Sequence, residues 1–225
     1  MVKAVIFDFD GTLSNRKKNA YDLFDVELRK YFPNMNDIEY EAMLQDFLTD
    51  DCNGTIKVDY RVIPFMAKYK ELPSDFLEQF KPVYYDIMWK YVALRDDTIE
   101  TLKVLQGKYK LAVLSNGDSK SQHDKITNCH IDEYFDEVVV SGDIGINKPD
   151  KRIFEIMAEK LNVKPEECVF VGDVFSSDIL GAIRANMIPV WITPDPDTQA
   201  HYYKGIRISK LSELIDVLKK LESDK

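Results

Sequence analysis

Lys3-Ala-Val-Ile-Phe-Asp8-Phe-Asp10-Gly-Thr-Leu13 stands almost at the start of the chain. Val5, Ile6 and Phe7 are strand formers in a continuous apolar run bounded by Gly11, the pattern of a strand buried on both faces of a parallel sheet. Two aspartates sit where that strand ends, and Gly11 allows the backbone to turn sharply. Ligands of open α/β sheets bind at the carboxyl ends of the strands, so both acids are expected to line a site. Carboxylates this close repel each other, and a bound cation lets both stay ionised. The stretch therefore points to a metal-assisted carboxylate site.

Downstream of it the pattern turns helical. Ala20, Leu23, Phe24, Leu28 and Tyr31 repeat at helix spacing up to Pro33-Asn34, and Tyr40, Met43, Leu44, Phe47 and Leu48 form a second stripe. Asp50-Asp51-Cys52-Asn53-Gly54 reads as a loop. Val62, Phe65, Met66 and Tyr69 predict a third helix closed by Pro73. Phe76 to Tyr91 predicts a fourth, kinked or split at Pro82. The α/β alternation then resumes, with strands expected at Tyr109–Ser115, Glu137–Ser141, Cys168–Gly172 and Ile188–Ile192, and an edge strand at Ile206–Ile208. Helices are expected at Thr98–Gly107, Lys120–Cys129, Asp150–Leu161, Asp178–Ala185 and Leu211–Leu221. Strands alternating with helices imply right-handed βαβ units. The predicted fold class is α/β: a Rossmann-like parallel sheet core over 1–14 and 96–225, with an inserted α-helical cap over 15–95.

The 225 residues suit one core domain plus such an insertion, and 45% apolar content is ordinary for a globular chain. A formal net charge of −9 argues against a nucleic-acid or membrane-surface binder, which needs a basic face. The first strand begins too early for a signal peptide, and no apolar run reaches the ~18 residues that span a bilayer. Cys52, Cys129 and Cys168 are widely spaced and read as reduced thiols, so a cytoplasmic location is expected. Asn53-Gly54-Thr55 fits a glycosylation pattern by chance. His123, His130 and His201 fit no motif and read as structural or surface residues.

Polar residues recur at four strand ends: Asp8 and Asp10, Ser115-Asn116-Gly117, Lys148 beyond the third strand, and Gly172-Asp173 with Asp178. Parallel strands bring all of them to one sheet edge. In this order, Asp8-Phe-Asp10-Gly-Thr-Leu13, Leu114-Ser115-Asn116-Gly117, Lys148-Pro149 and Gly172-Asp173-Val-Phe-Ser-Ser-Asp178 resemble the four motifs of the haloacid dehalogenase superfamily, in the branch whose helical cap follows the first motif. The likeness spans nearly all of the core; the cap matches in placement and helicity alone.

The resemblance implies roles. Asp8 is expected to be the nucleophile that forms an aspartyl-phosphate, a carboxylate being ionised at neutral pH without a base. Asp10 is expected to offer its backbone carbonyl to Mg²⁺ and its side chain as general acid, then base. Ser115 and the Asn116 amide are expected to hold phosphate oxygens at a strand-to-helix turn, followed by Gly117. Lys148 is expected to neutralise the phosphoryl group and Asp173 to ligate Mg²⁺, with Thr12 and Asp178 supporting. The blander readings are a solvated loop for Asp8 and Asp10, a helix cap for Ser115 and a dipole partner for Asp178.

An acid at position 10 separates phosphoryl transfer from the dehalogenases, which this resemblance implies lack one. The expected function is a Mg²⁺-dependent phosphatase of a small phosphorylated metabolite such as a sugar phosphate, phosphoglycolate or nucleotide monophosphate. A phosphomutase of the β-phosphoglucomutase type and a non-catalytic phospho-ligand binding or signalling module are the alternatives. Arg16, Lys17 and Lys18 could attract a second anionic group or be simply solvated. The loop Asp50–Lys57 and Tyr84, Tyr85 and Trp89 are further substrate-contact candidates, although packing explains the aromatics as well. Hinges are expected near Ser14–Lys17 and Arg95–Asp97, letting the cap close and exclude water. The oligomeric state is not legible in the sequence.

Overall fold

Strand β1 (Ala4–Phe7) is fully buried, every residue at 0% exposure. The computed structural model describes residues 1–51, 56–193 and 202–223. They divide into two compact units, Met1–Ser14 with Leu94–Lys225, and Asn15–Ala93.

The second unit holds α1 (Arg16–Arg29), α2 (Asp37–Asp50), α3 (Val58–Lys68) and α4 (Phe76–Ile87), followed by a 3₁₀ turn at Met88–Tyr91. Asn15 and Asn36 cap α1 and α2, their side chains accepting from Lys18 N and Glu39 N. The apolar stripes meet in a core rich in phenylalanine, where Phe47 lies edge-on to Phe24 and Phe65 at 4.2 and 4.5 Å between centroids. Pro82 does not split α4, which runs unbroken to Ile87; the geometry tightens to 3₁₀ only at Met88. Pro64 is likewise inside α3. Packing of the aromatic face outweighs the lost backbone hydrogen bonds at both prolines.

The first unit continues with α5 (Thr98–Leu105), β2 (Lys110–Ser115), α6 (Ser119–Asn128), β3 (Glu137–Val140), α7 (Ser141–Ile144), α8 (Lys151–Lys160), β4 (Cys168–Gly172), α9 (Leu180–Arg184), β5 (Ile188–Ile192), β6 (Ile206–Ile208) and α10 (Leu214–Ser223). Among the described residues, six strands form one parallel sheet in the order β3-β2-β1-β4-β5-β6. Ile6 is opposite Ala112 on one side and Phe170 on the other, so β1 is central. The strand order reverses beside β1, which opens a crevice at the carboxyl edge. One face is sealed by Ile153, Phe154 and Met157 of α8 against Ile6, Leu114 and Phe170. Most element bounds shift by one to three residues from the sequence expectation, and two of the differences concern the sheet edge. Ser141 starts α7 instead of ending β3, and the segment expected as one helix from Asp178 is a π-turn, Phe175–Ile179, running into α9. No described helix is long and apolar enough to cross a membrane.

Candidate active site

Asp8 follows the last residue of β1, and its N–H donates to Val171 O of β4 at 2.9 Å. The sheet ladder thereby fixes the backbone from which its carboxylate projects. Gly11, at φ +92°, then turns the chain, and a Cβ there would run into the Asp173 carboxylate. Arg95 clamps this turn by donating to Gly11 O at 3.0 Å and to Ser209 O at 3.1 Å. Thr98 Oγ1 donates to Leu13 O at 2.8 Å. Neither Arg95 nor Thr98 carries a sequence signal, because both act on backbone carbonyls far away in the chain.

Asp8, Asp173 and Asp178 each place a carboxylate oxygen within 4.8 Å of the others. Lys148 reaches into this cluster, its Nζ 2.6 Å from Asp8 Oδ1 and 2.8 Å from Asp178 Oδ1, and donates to Leu114 O at 2.9 Å. Asp178 also accepts from Val174 N at 2.9 Å and Ser177 Oγ at 3.2 Å. Thr12 Oγ1 donates to Asp173 Oδ1 at 3.3 Å, and Trp191 Nε1 to Asp173 O at 2.9 Å.

Three carboxylates facing one ammonium leave an excess of buried negative charge. Burial pushes the Asp8 carboxyl well above the usual carboxylate range; Lys148 opposes this, and Asp178 and Asp173 push it further up. Burial, then the Asp178 charge, raises Asp173 to about 7. Lys148 is raised as well: burial, its largest single influence, disfavours the charge, but Asp178 and Asp8 together outweigh it. The carboxyls of Asp8 and Asp173, both raised by burial and by neighbouring negative charge, fit a hard divalent cation with oxygen ligands.

The second sequence motif lies beside this cluster. Ser115, the last residue of β2, is 1% exposed. The Asn116 side chain is spent on the Lys148 backbone, donating to Lys148 O at 3.0 Å and accepting from Lys148 N at 2.8 Å. Asn116 thus ties the β2 turn to the loop that carries Lys148. Gly117 N donates to Ser141 Oγ at 3.0 Å.

Asp10 has partners on α6 that the sequence did not single out. Its Oδ2 accepts from Lys125 Nζ at 2.7 Å and from Gln122 Nε2 at 2.9 Å. Gln122 and Lys125 are three residues apart on one helix face, a spacing visible in the sequence without any hint of what the face meets. His123, on the same helix, contacts Asp143 at 3.0 Å, and His130 is a turn residue at φ 52°. Cys129 is half-buried and Cys168 buried, both with free thiols.

In the helical unit, Arg16 is not solvated. Its guanidinium pairs with Asp51 at 2.9 Å, Arg61 pairs with the same carboxylate, and both donate to Tyr84 OH, at 3.1 and 3.0 Å. Lys18 pairs with Asp22 on α1. Tyr85 packs edge-on to Tyr84, and Trp89 Nε1 donates to Asp86 O. Cys52, Asn53-Gly54-Thr55 and His201 lie outside the described residues, as does the middle of the 50–57 loop.

Comparison with known proteins places these features in a family. The family model for haloacid dehalogenase-like hydrolases matches residues 2–186. The chain is 31% identical to a glyceraldehyde 3-phosphate phosphatase of Methanopyrus kandleri over the full length of both. It is 29% identical to the N-acylneuraminate-9-phosphatase of Rattus norvegicus, over 85% of this chain and 82% of that one. Among solved structures, the magnesium-bound HAD-hydrolase YfnB of Bacillus subtilis superposes with a TM-score of 0.76 at 22% identity, covering 96% of this chain and 98% of that one. A HAD phosphatase from Thermococcus onnurineus gives 0.63 at 28% identity, covering 96% and 98%.

Proposed function

The chain belongs to the haloacid dehalogenase-like hydrolase family, and on that footing we propose that it is a Mg²⁺-dependent phosphatase working through an aspartyl-phosphate on Asp8. The observation that carries this reading is the buried ion pair between Asp8 and Lys148, 2.6 Å, inside a cluster with Asp173 and Asp178. An anionic nucleophile beside a fixed ammonium and an acid-rich cation site is what attack on a phosphomonoester requires.

Asp8 attacks phosphorus and forms the acyl phosphate bond as the ester P–O bond breaks. The departing alkoxide takes a proton from Asp10, which then removes one from the water that hydrolyses the acyl phosphate. Lys148 holds Asp8 in place and offsets charge on the transferring group. Ser115 and the backbone N–H groups of the β2 turn bind phosphate oxygens. Asp8, Asp173 and the Asp10 carbonyl would hold Mg²⁺, which supplies positive charge to the phosphoryl oxygens. Asp178 already accepts from Lys148, Val174 and Ser177 and acts as a support.

The relatives named above are phosphatases of glyceraldehyde 3-phosphate and of an N-acylneuraminate 9-phosphate. Both phosphates are esters of a terminal primary alcohol on a hydroxylated carbon chain, and we take that as the substrate class. Phosphate release from a panel of such esters, with Mg²⁺ and with chelator, tests the proposal. Mg²⁺-dependent turnover by the wild type, lost in Asp8→Asn, is the expected result. Equal turnover by Asp8→Asn would sink the nucleophile assignment. Isomerised phosphate ester without released phosphate would indicate a mutase.

A further inference from the structure

We propose that Lys125 and Gln122 are positioning residues for Asp10: they hold its carboxylate in the orientation from which it exchanges a proton with leaving group and water. The inference rests on Asp10 being the acid and base of the proposed phosphatase.

Two donors converge on one oxygen, Lys125 Nζ at 2.7 Å and Gln122 Nε2 at 2.9 Å. Both belong to α6, whose N-terminus is set by Asp118 accepting from Ser121 N at 3.0 Å. Lys125 is 7% exposed and Gln122 4%, unusual for these residue types unless they are engaged. The anchor is itself anchored, for Gln122 Nε2 also donates to Asn116 O at 2.9 Å. Gly117 makes this possible: a Cβ there would stand 2.7 Å from Gln122 Nε2 and 2.9 Å from its Cγ. The β2 turn, α6 and the first motif are thus locked together around a single carboxylate oxygen.

A side chain with a free χ2 would present its carboxylate in several orientations, whereas one held by two donors presents it at a fixed angle, which is what proton transfer within one turnover needs. A merely structural ion pair would raise stability without any preference among substrates.

The test exploits the leaving group. An alkyl phosphate expels an alkoxide that needs the proton, whereas 2,4-dinitrophenyl phosphate expels a phenolate that does not. The value of kcat/KM, which reports the first transfer step, is compared for the fastest alkyl phosphate of the panel and for the dinitrophenyl ester. For Lys125→Met the expected loss is roughly 30-fold or more on the alkyl ester and within about 3-fold on the dinitrophenyl ester, a fraction of the range general acids supply. Gln122→Met is expected to show the same sense with a smaller loss, and it provides the readout if Lys125→Met does not fold. Lys125→Arg, which keeps a charged donor, is expected to recover part of the alkyl activity. Asp10→Asn is the reference. If it discriminates between the esters and the Lys125 and Gln122 variants lose activity equally on both, the positioning role is overturned alone. If Asp10→Asn does not discriminate, Asp10 is not the acid, and both readings fall.

Discussion

Lys148 and Asp178 form a 2.8 Å ion pair in which the side chains are only 2% and 1% exposed. The same ammonium holds Asp8, so one cation serves two buried anions, with Asp173 beside them. Removing it should be costly. Lys148→Met is expected to lose about 3–5 kcal/mol of stability by chemical denaturation in chelator, the scale for breaking a buried pair from one side. Added Mg²⁺ should return part of that loss, because a second cation can reach the stranded carboxylates. An unchanged denaturation midpoint in chelator would show that the pair is not stabilising.

Asp173, raised to about 7 in the cation-free protein, couples stability to pH. In that state the folded chain holds a proton that the unfolded chain, with its ordinary carboxylate near 3.8, has already released. The stabilising contribution is complete below about pH 4 and is lost as pH rises through about 7. Melting curves in chelator should therefore fall across this window beyond any loss seen in Mg²⁺, since a bound cation favours the ionised form. Parallel curves in the two buffers would count against Asp173 as a ligand.

Gly11→Ala sets a methyl group against the Asp173 carboxylate at a φ of +92°, where residues other than glycine are strained. The strain alone is about 1–2 kcal/mol, and the displaced carboxylate should weaken Mg²⁺ binding at least tenfold. Calorimetric titration with Mg²⁺ reads this directly, without reference to turnover.

In the helical unit, Asp51 is the shared acceptor of Arg16 and Arg61. Asp51→Ala should remove the carboxylate that two nearly buried guanidinium groups share and cost about 3–5 kcal/mol. Denaturation followed by far-ultraviolet circular dichroism measures it, and a loss within about 0.5 kcal/mol, the range of ordinary surface changes, would mean that Tyr84 and solvent suffice.

Much of this was legible in the linear chain because apolar periodicity reports which faces are buried. The strand Ala4–Phe7 and its neighbours are found where runs of valine, isoleucine and phenylalanine occur. Where the reading missed, a longer-range cause decided. Pro82 was expected to kink or split the fourth helix, and the aromatic core of the unit holds α4 unsplit through it. The segment before Ile179 winds as a π-turn, and its Asp178 accepts from Val174 N and pairs with Lys148, an arrangement no local propensity encodes. Arg16, beside Lys17 and Lys18, was expected to attract a second anionic group or to be simply solvated, and only the fold supplies Asp51.

By itself the sequence determined the chemistry available at the carboxyl edge: Asp8 and Asp10 after the first strand, Ser115 after the second, and Asp173 after the fourth. Parallel strands must deliver their ends to one edge, so periodicity and order suffice for that. Only the tertiary structure decided how those groups meet. Lys148 pairs with Asp8 across 140 positions of chain, and Lys125 with Asp10 across 115. Such pairings are fixed by where a loop and a helix pack against the sheet. They depend on distances of 2.6 to 2.7 Å that no local sequence pattern specifies.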